Sequence, residues 1–172
     1  MAILPRRTWT GRMKGAALLD VDTYEEVEAD QTATGQAAGV VALVAVAQAI
    51  GSAGTGGSGV LAGVVSALAG WLLWAGITYL IGAKLFGGTA TWGELLRTLG
   101  FAQTPGVLHV LGLLPILGGI IRVGVAIWVL IAGVIAIRQA LDISTGKAIL
   151  TAGLGWLVIT LPLAIVAAVA RG

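Results

Sequence analysis

Apolar positions in this chain fall in long unbroken runs, and short polar stretches separate them. Neither strand-like alternation nor a soluble-helix stripe dominates; the runs are continuous, as in helices solvated by lipid on several faces. The first, ATGQAAGVVALVAVAQAIG, ends at Gly51. It crosses a bilayer comfortably if its helix begins near Thr23, capped by Asp22 or Thr23, with Glu25, Glu26 and Glu28 at the positive end of the helix dipole. A second run extends from Val60 to about Lys84. A last one extends from about Ala148 to Ala170, with Ser144 or Thr145 as its cap and a kink expected at Pro162.

Between them, Pro105 to Ile137 is too long for one ordinary span and short for two, which need roughly 40 residues. Pro115 and the pair Gly118 and Gly119 sit where a break is required, and Pro105 marks the entry. The pattern predicts a short or broken third span over Gly106–Gly118 and a fourth over Gly119–Leu141. A single kinked helix would hold Arg122 near mid-membrane at a cost of several kcal/mol. Two spans bring it to an interface, where it can snorkel.

Two segments read as helices lying on the membrane surface. Trp92–Gln103 gathers Leu95, Leu96, Leu99, Phe101 and Ala102 largely on one side, with Glu94 and Arg97 elsewhere. Thr8–Leu19 puts Trp9, Met13, Ala16 and Ala17 on one side and Arg12 and Lys14 near the other, a basic helix drawn to anionic lipid. The acidic stretch Asp20–Asp30 then lifts the chain from that surface or offers a docking site.

Lys and Arg set the orientation. With the N-terminus cytoplasmic, Arg6, Arg7, Arg12, Lys14, Lys84, Arg97, Arg138 and Lys147 lie inside, against Arg122 and Arg171 outside. An odd number of spans keeps that split. The expected fold is therefore an all-α polytopic membrane helix bundle of five transmembrane helices, the third short or broken, plus N-terminal and 92–103 surface helices. Residues 1–22 form a cytoplasmic segment and 23–172 the membrane domain. The expected location is the inner (cytoplasmic) membrane, N-terminus in and C-terminus out.

Composition agrees. Among 172 residues, 58% are hydrophobic and 10% charged, against about 45–50% and about 25% in soluble domains. The absence of cysteine removes disulfides and thiolate chemistry.

Candidate chemistry is sparse. His109, the sole histidine, is a polar group in the short third span. It can ligate a metal, hold a pigment, relay a proton, or bond a carbonyl or hydroxyl of a neighbouring helix; with no acid in its span and no cysteine, the last is expected. Arg122 is an interfacial anchor or a lipid-phosphate contact. Arg138 and Asp142 have the spacing of an ion pair. GSAGTGGSG lacks the Lys-Ser/Thr ending of a phosphate loop and reads as a hinge. Small residues at helical spacing, Gly35 with Gly39, and Gly59, Gly63 and Ala67, with further pairs Ala132/Ala136 and Ala164/Ala168, allow close helix packing within or between chains. Trp9 and Trp92 suit interfaces. Trp71, Trp74, Trp128 and Trp156 fall inside spans and are read as filling gaps.

GGTATWGELLRTLGFAQTPGVL, RQALDISTGKAIL and TYEEVEADQTATGQA resemble the Yip1 domain family, and the last two its prokaryotic members. The resemblance covers roughly Thr23 to Arg171 and rests mostly on Gly87, Gly88, Trp92, Pro105 and Ser144–Lys147. It implies a five-span membrane fold. Eukaryotic relatives act in vesicle traffic and bind Rab-type GTPases, but their DLYGP-like motif is absent here, so Rab binding does not carry over.

No nucleophile has a base beside it, and neither a metal set nor a nucleic-acid module is visible. No enzyme activity or cofactor is expected. The expected role is a non-enzymatic membrane organiser, scaffold or accessory subunit, with lipids and other membrane proteins or a second copy as partners. The alternative is a small transporter or channel. The short third span and the helix before it are expected to act as a wedge, disturbing lipid thickness or seating a partner.

Overall fold

A computed structural model describes residues 7–53, 59–114 and 117–169, with side chains to residue 161. Helix α1 (Trp9–Ala17) is capped by the Thr8 hydroxyl, which accepts from the Gly11 N–H at 3.1 Å. α2 (Val21–Ala29) starts at Asp20. α3 (Ala33–Gly51) and α4 (Val60–Tyr79) follow, α4 widening into a π turn over Leu80–Leu85. α5 (Trp92–Ala102) opens on a capping box between Thr91 and Glu94, and a 3-10 segment (Thr104–Leu113) continues it. α6 (Leu117–Leu141) and α7 (Thr145–Val169) complete the bundle. The described residues contain no strand.

The acidic stretch does not extend the first span down to Thr23. Asp30 is extended, at φ −88° and ψ 94°. Its carboxylate accepts from the backbone N–H of Thr32 at 3.1 Å and from its hydroxyl at 2.6 Å. This local competition with helical bonding ends α2 and lets α3 start afresh at Ala33.

The largest correction concerns α5, which is not a surface helix. Every residue from Leu95 to Ala102 is buried. The helix packs against α1, α2, α3, α4 and α6. Its polar side is covered because Arg97 turns inward onto α2 and Thr98 bonds back to the Glu94 carbonyl at 3.0 Å. One-sided periodicity cannot tell lipid headgroups from protein as the cover for a polar flank.

α5 and the 3-10 segment together run alongside α3 in the same direction. A β-carbon at Gly100 would lie 2.7 Å from that of Ala37, and one at Gly106 would lie 2.6 Å from Val44 Cγ1. Further along, Gly51 abuts the His109 carbonyl. From Ala37 to Gly51 the shared path is roughly 21 Å. The third element is thus composite, half α-helix and half 3-10, which explains how so short a run reaches the far end of α3.

The expected limits of the third and fourth elements shift accordingly. Pro105 falls in the first turn of the 3-10 segment, where a missing N–H costs nothing. Gly118 and Gly119 do not form the break; they lie inside α6, Gly118 donating its N–H to the Leu114 carbonyl at 2.8 Å and lying against Gly112. α6 is already helical from Leu117. Pro115 lies outside the described residues.

Three helical stretches, Ala33–Gly51, Val60–Leu85 and Leu117–Leu141, are long and apolar enough to cross a membrane, and Thr145–Leu161 is a shorter apolar one. Ser144 Oγ accepts from the Lys147 N–H at 3.4 Å, as expected of the α7 cap. Pro162 lies inside α7.

Candidate functional site: a polar lock, a loop junction and a groove

Three polar features surround the buried α5. The first holds α1 and α2 on the bundle. Arg12 is 2% exposed, and its guanidinium is shared among three carriers of oxygen. Nη2 lies 2.7 Å from Asp30 Oδ2, Nε donates to Glu26 Oε1 at 3.0 Å, and Nη1 donates to Gln36 Oε1 at 2.9 Å. Burial opposes the charge, but the hydrogen bonds of Asp30 and Glu26 outweigh it and raise the Arg12 pKa. Arg7 adds a pair with Asp20 at 2.9 Å. The expectation of a basic helix presented to anionic lipid fails here, because Arg12 meets the acidic residues of its own chain first.

Arg97 secures the same C-terminal end of α2 from α5. Its Nε donates to the carbonyls of Val27 and Glu28 at 2.9 and 3.0 Å, and Nη2 also donates to Glu28. A cation is thereby set against the negative end of a helix dipole. Tyr24, fully buried, donates to the Ala16 carbonyl at 3.1 Å, and burial pushes its pKa up. Glu28 is pushed up to about 7, first by burial and then by Glu25, Glu94 and Asp142, with Arg97 opposing. The acidic stretch is therefore a docked helix rather than a free spacer.

At the second feature, the two loops that flank the bundle meet. Thr89 donates its N–H to the Leu141 carbonyl at 3.1 Å and its hydroxyl to Asp142 Oδ2 at 3.0 Å. Lys147 Nζ donates to the Phe86 carbonyl at 3.1 Å. Gly88 lies so close to Leu141 that a β-carbon would meet its Cδ2 at 2.7 Å, and Gly87 has φ +75°, which favours glycine. So the Gly87–Thr89 and Asp142–Lys147 strings, far apart in sequence, form one junction. Asp142 spends its carboxylate on Thr89 rather than on Arg138.

The third feature is a groove of about 1040 Å³ walled by α6, α7, α3 and the composite third element, with Gln48, Gln103 and His109 among mostly apolar walls. His109 faces this groove from the 3-10 segment. Arg122 is not one of the wall residues; one turn of α6 before Ala126, which is, it donates Nη2 to the Gly51 carbonyl at 3.1 Å and lies 3.5 Å from that of Gly112. Arg122 thus caps the C-terminus of α3 while remaining exposed.

The small residues divide. A β-carbon at Gly39 would meet the Trp9 ring at 3.3 Å, and Ala132 and Ala136 are buried, whereas Gly35, Gly59 and Gly63 face open space; Ala67 is partly buried against the core. Ala164 and Ala168 lie beyond the described side chains. Trp71 fills a gap as expected, donating Nε1 to the Leu96 carbonyl at 3.0 Å. Trp74 lies over Gly155, where a β-carbon would meet its ring at 3.4 Å. Trp128 reaches α1, donating to the Ala17 carbonyl at 2.8 Å, while Trp156 is exposed on the groove.

Sequence reasoning missed the roles of Arg12, Gln36, Gln48 and Gln103. The two glutamines of the groove did carry a signal, as amides within or beside apolar runs. Arg12 carried none, since its partners lie on other helices. Among the described residues no group of His, Asp and Glu side chains can hold a metal ion.

No curated protein and no solved structure matches the chain. The Yip1 domain profile matches residues 21–167. That span takes in α2, the loop junction, the composite third element and most of α7, and the chain belongs to the Yip1 domain family.

Proposed function

We propose that this protein is a non-enzymatic organiser of the cytoplasmic membrane, a scaffold or accessory subunit that packs against other membrane proteins. The observation that carries the reading is the outward surface of α4. Only 11% of its most apolar window is buried. Gly59, Gly63 and Gly70 there have open space where β-carbons would stand, beside exposed Leu61 and Val65. Small residues on a lipid-facing helix let a second helix approach closely. The ionic side chains support the same reading, since Arg12, Arg97, Glu26 and Asp30 are engaged in holding the chain together.

The topology that goes with it has five crossings, N-terminus inside and C-terminus outside, the third being α5 with the 3-10 segment. A reporter active only outside the cytoplasm, fused to the C-terminus, should be active; a silent outside reporter with an active cytoplasmic one contradicts the topology. A transporter reading is weaker, because His109 is the one ionisable group on the groove walls among the described residues.

Co-purification in mild detergent tests the role. A stoichiometric partner, or a second copy, should be recovered with the native chain and lost on Gly63→Leu, with the melting temperature unchanged. Recovery of the monomer alone from both proteins, with His109-dependent solute flux in liposomes, would replace the organiser by a transporter.

A further inference from the structure

The groove has an ordered chemistry that helix packing alone does not explain. Gln48 and His109 line it, and just beyond them Arg122 lies against Gly51. Arg122 donates to the Gly51 carbonyl, the His109 backbone touches Gly51, and Gln48 precedes it by about one turn of α3. Among the described residues neither the Gln48 amide nor the His109 ring has a hydrogen-bond partner, and Arg122 is exposed with only Nη2 engaged. From there the groove runs along apolar walls to Gln103, roughly 12 Å away at the 3-10 rise of about 2 Å per residue. Its side is open: Leu130 and Trp156 are each 61% exposed. In a bilayer that opening faces hydrocarbon, where unpaired amides are costly.

We propose that the groove holds one glycerophospholipid. Arg122 takes the phosphate, as an exposed guanidinium at an interface does. Gln48 and His109 donate to an ester carbonyl, and an acyl chain lies along the walls past Trp156. The sequence cation, neutral donors, apolar trough matches the order phosphate, ester, chain. Among the described residues no carboxylate lines the groove to repel the headgroup. This goes beyond the organiser role and stands or falls separately from it.

Native mass spectrometry of the detergent-solubilised full chain, titrated with defined lipids, tests the site. The probes are a diester phosphatidylglycerol, its diether analogue, and the diacylglycerol without phosphate. One diester phosphatidylglycerol should bind, with about tenfold weaker binding of each analogue, the size of a lost hydrogen-bonded contact. Arg122→Gln should erase the preference for phosphate while leaving ester over ether. His109→Leu with Gln48→Leu should erase ester over ether while leaving phosphate. Equal retention of all three lipids by the unaltered chain, which needs no variant to fold, reduces the groove to ordinary lipid contact and overturns the proposal. A dimer that buries Trp156 and binds no lipid overturns it as well.

Discussion

Arg12 Nη2 stands 2.7 Å from Asp30 Oδ2, joining the helix before α2 to the residue that ends it. Truncating Arg12 leaves Asp30 and Glu26 crowded without their cation, and removing one member of a buried pair costs about 3–5 kcal/mol. Arg12→Met should release α1 and α2 to protease while the membrane helices stay protected. Arg12→Met with Asp30→Asn should recover part of the loss. Limited proteolysis in detergent reads both.

Glu28 supplies a pH dependence. Its folded pKa is raised to about 7, above the ordinary carboxylate value. The folded state therefore binds the proton more tightly than the unfolded one between those values, and stability falls as pH rises through that window. At pH 8 the charged, partly desolvated carboxylate opposes docking. Glu28→Gln should raise the stability of the α2 region by about 1 kcal/mol at pH 8, after allowance for solvent screening. The gain should vanish near pH 5. Thermal unfolding of the two proteins across that range checks it.

Gly100 and Ala37 make a close approach between α5 and α3. Gly100→Ala overpacks that crossing and should cost about 1–3 kcal/mol. Ala37→Gly in the same chain should restore part of it, because the nearest approach is between two β-carbons while the Ala37 Cα and carbonyl oxygen remain 3.2 Å away. A double-mutant cycle on thermal stability measures the coupling.

How much of this is visible in the chain depends on which neighbours each residue has. The apolar runs around Val40, Val65 and Val125 locate three membrane helices because lipid imposes length and composition directly. Ser144 declares itself as a cap because its partner, Lys147, is local. Gly118 and Gly119 read as a break from spacing alone, yet glycine marks both turns and close approaches, and here Gly118 serves an approach to Gly112. Arg12 and Arg97 look like surface charges because their partners are carboxylates and carbonyls on other helices, which spacing does not encode. His109 and Arg122 stand out as lone polar groups, but their common meeting point at Gly51 exists only once α3, the 3-10 segment and α6 are assembled.

Arg122 caps α3 from another helix. Arg122→Leu leaves the Gly51 and Gly112 carbonyls without their cation and should cost about 0.5–2 kcal/mol. Hydrogen exchange should rise in the last turn of α3 and the end of the 3-10 segment, and stay unchanged at the Thr89–Asp142 junction.

Both the packing and the proposed topology depend on α5 lying inside the bundle. Thr98 reports on this most directly, being fully buried on the flank that a surface helix would show to water. The chain has no native cysteine, so a single Thr98→Cys can be followed with a maleimide in the folded, detergent-solubilised protein, beside an exposed Ser144→Cys control. With α5 inside, the control thiol labels within minutes and the thiol replacing Thr98 labels only after denaturation; equal labelling of the two variants in the folded protein would contradict a buried α5.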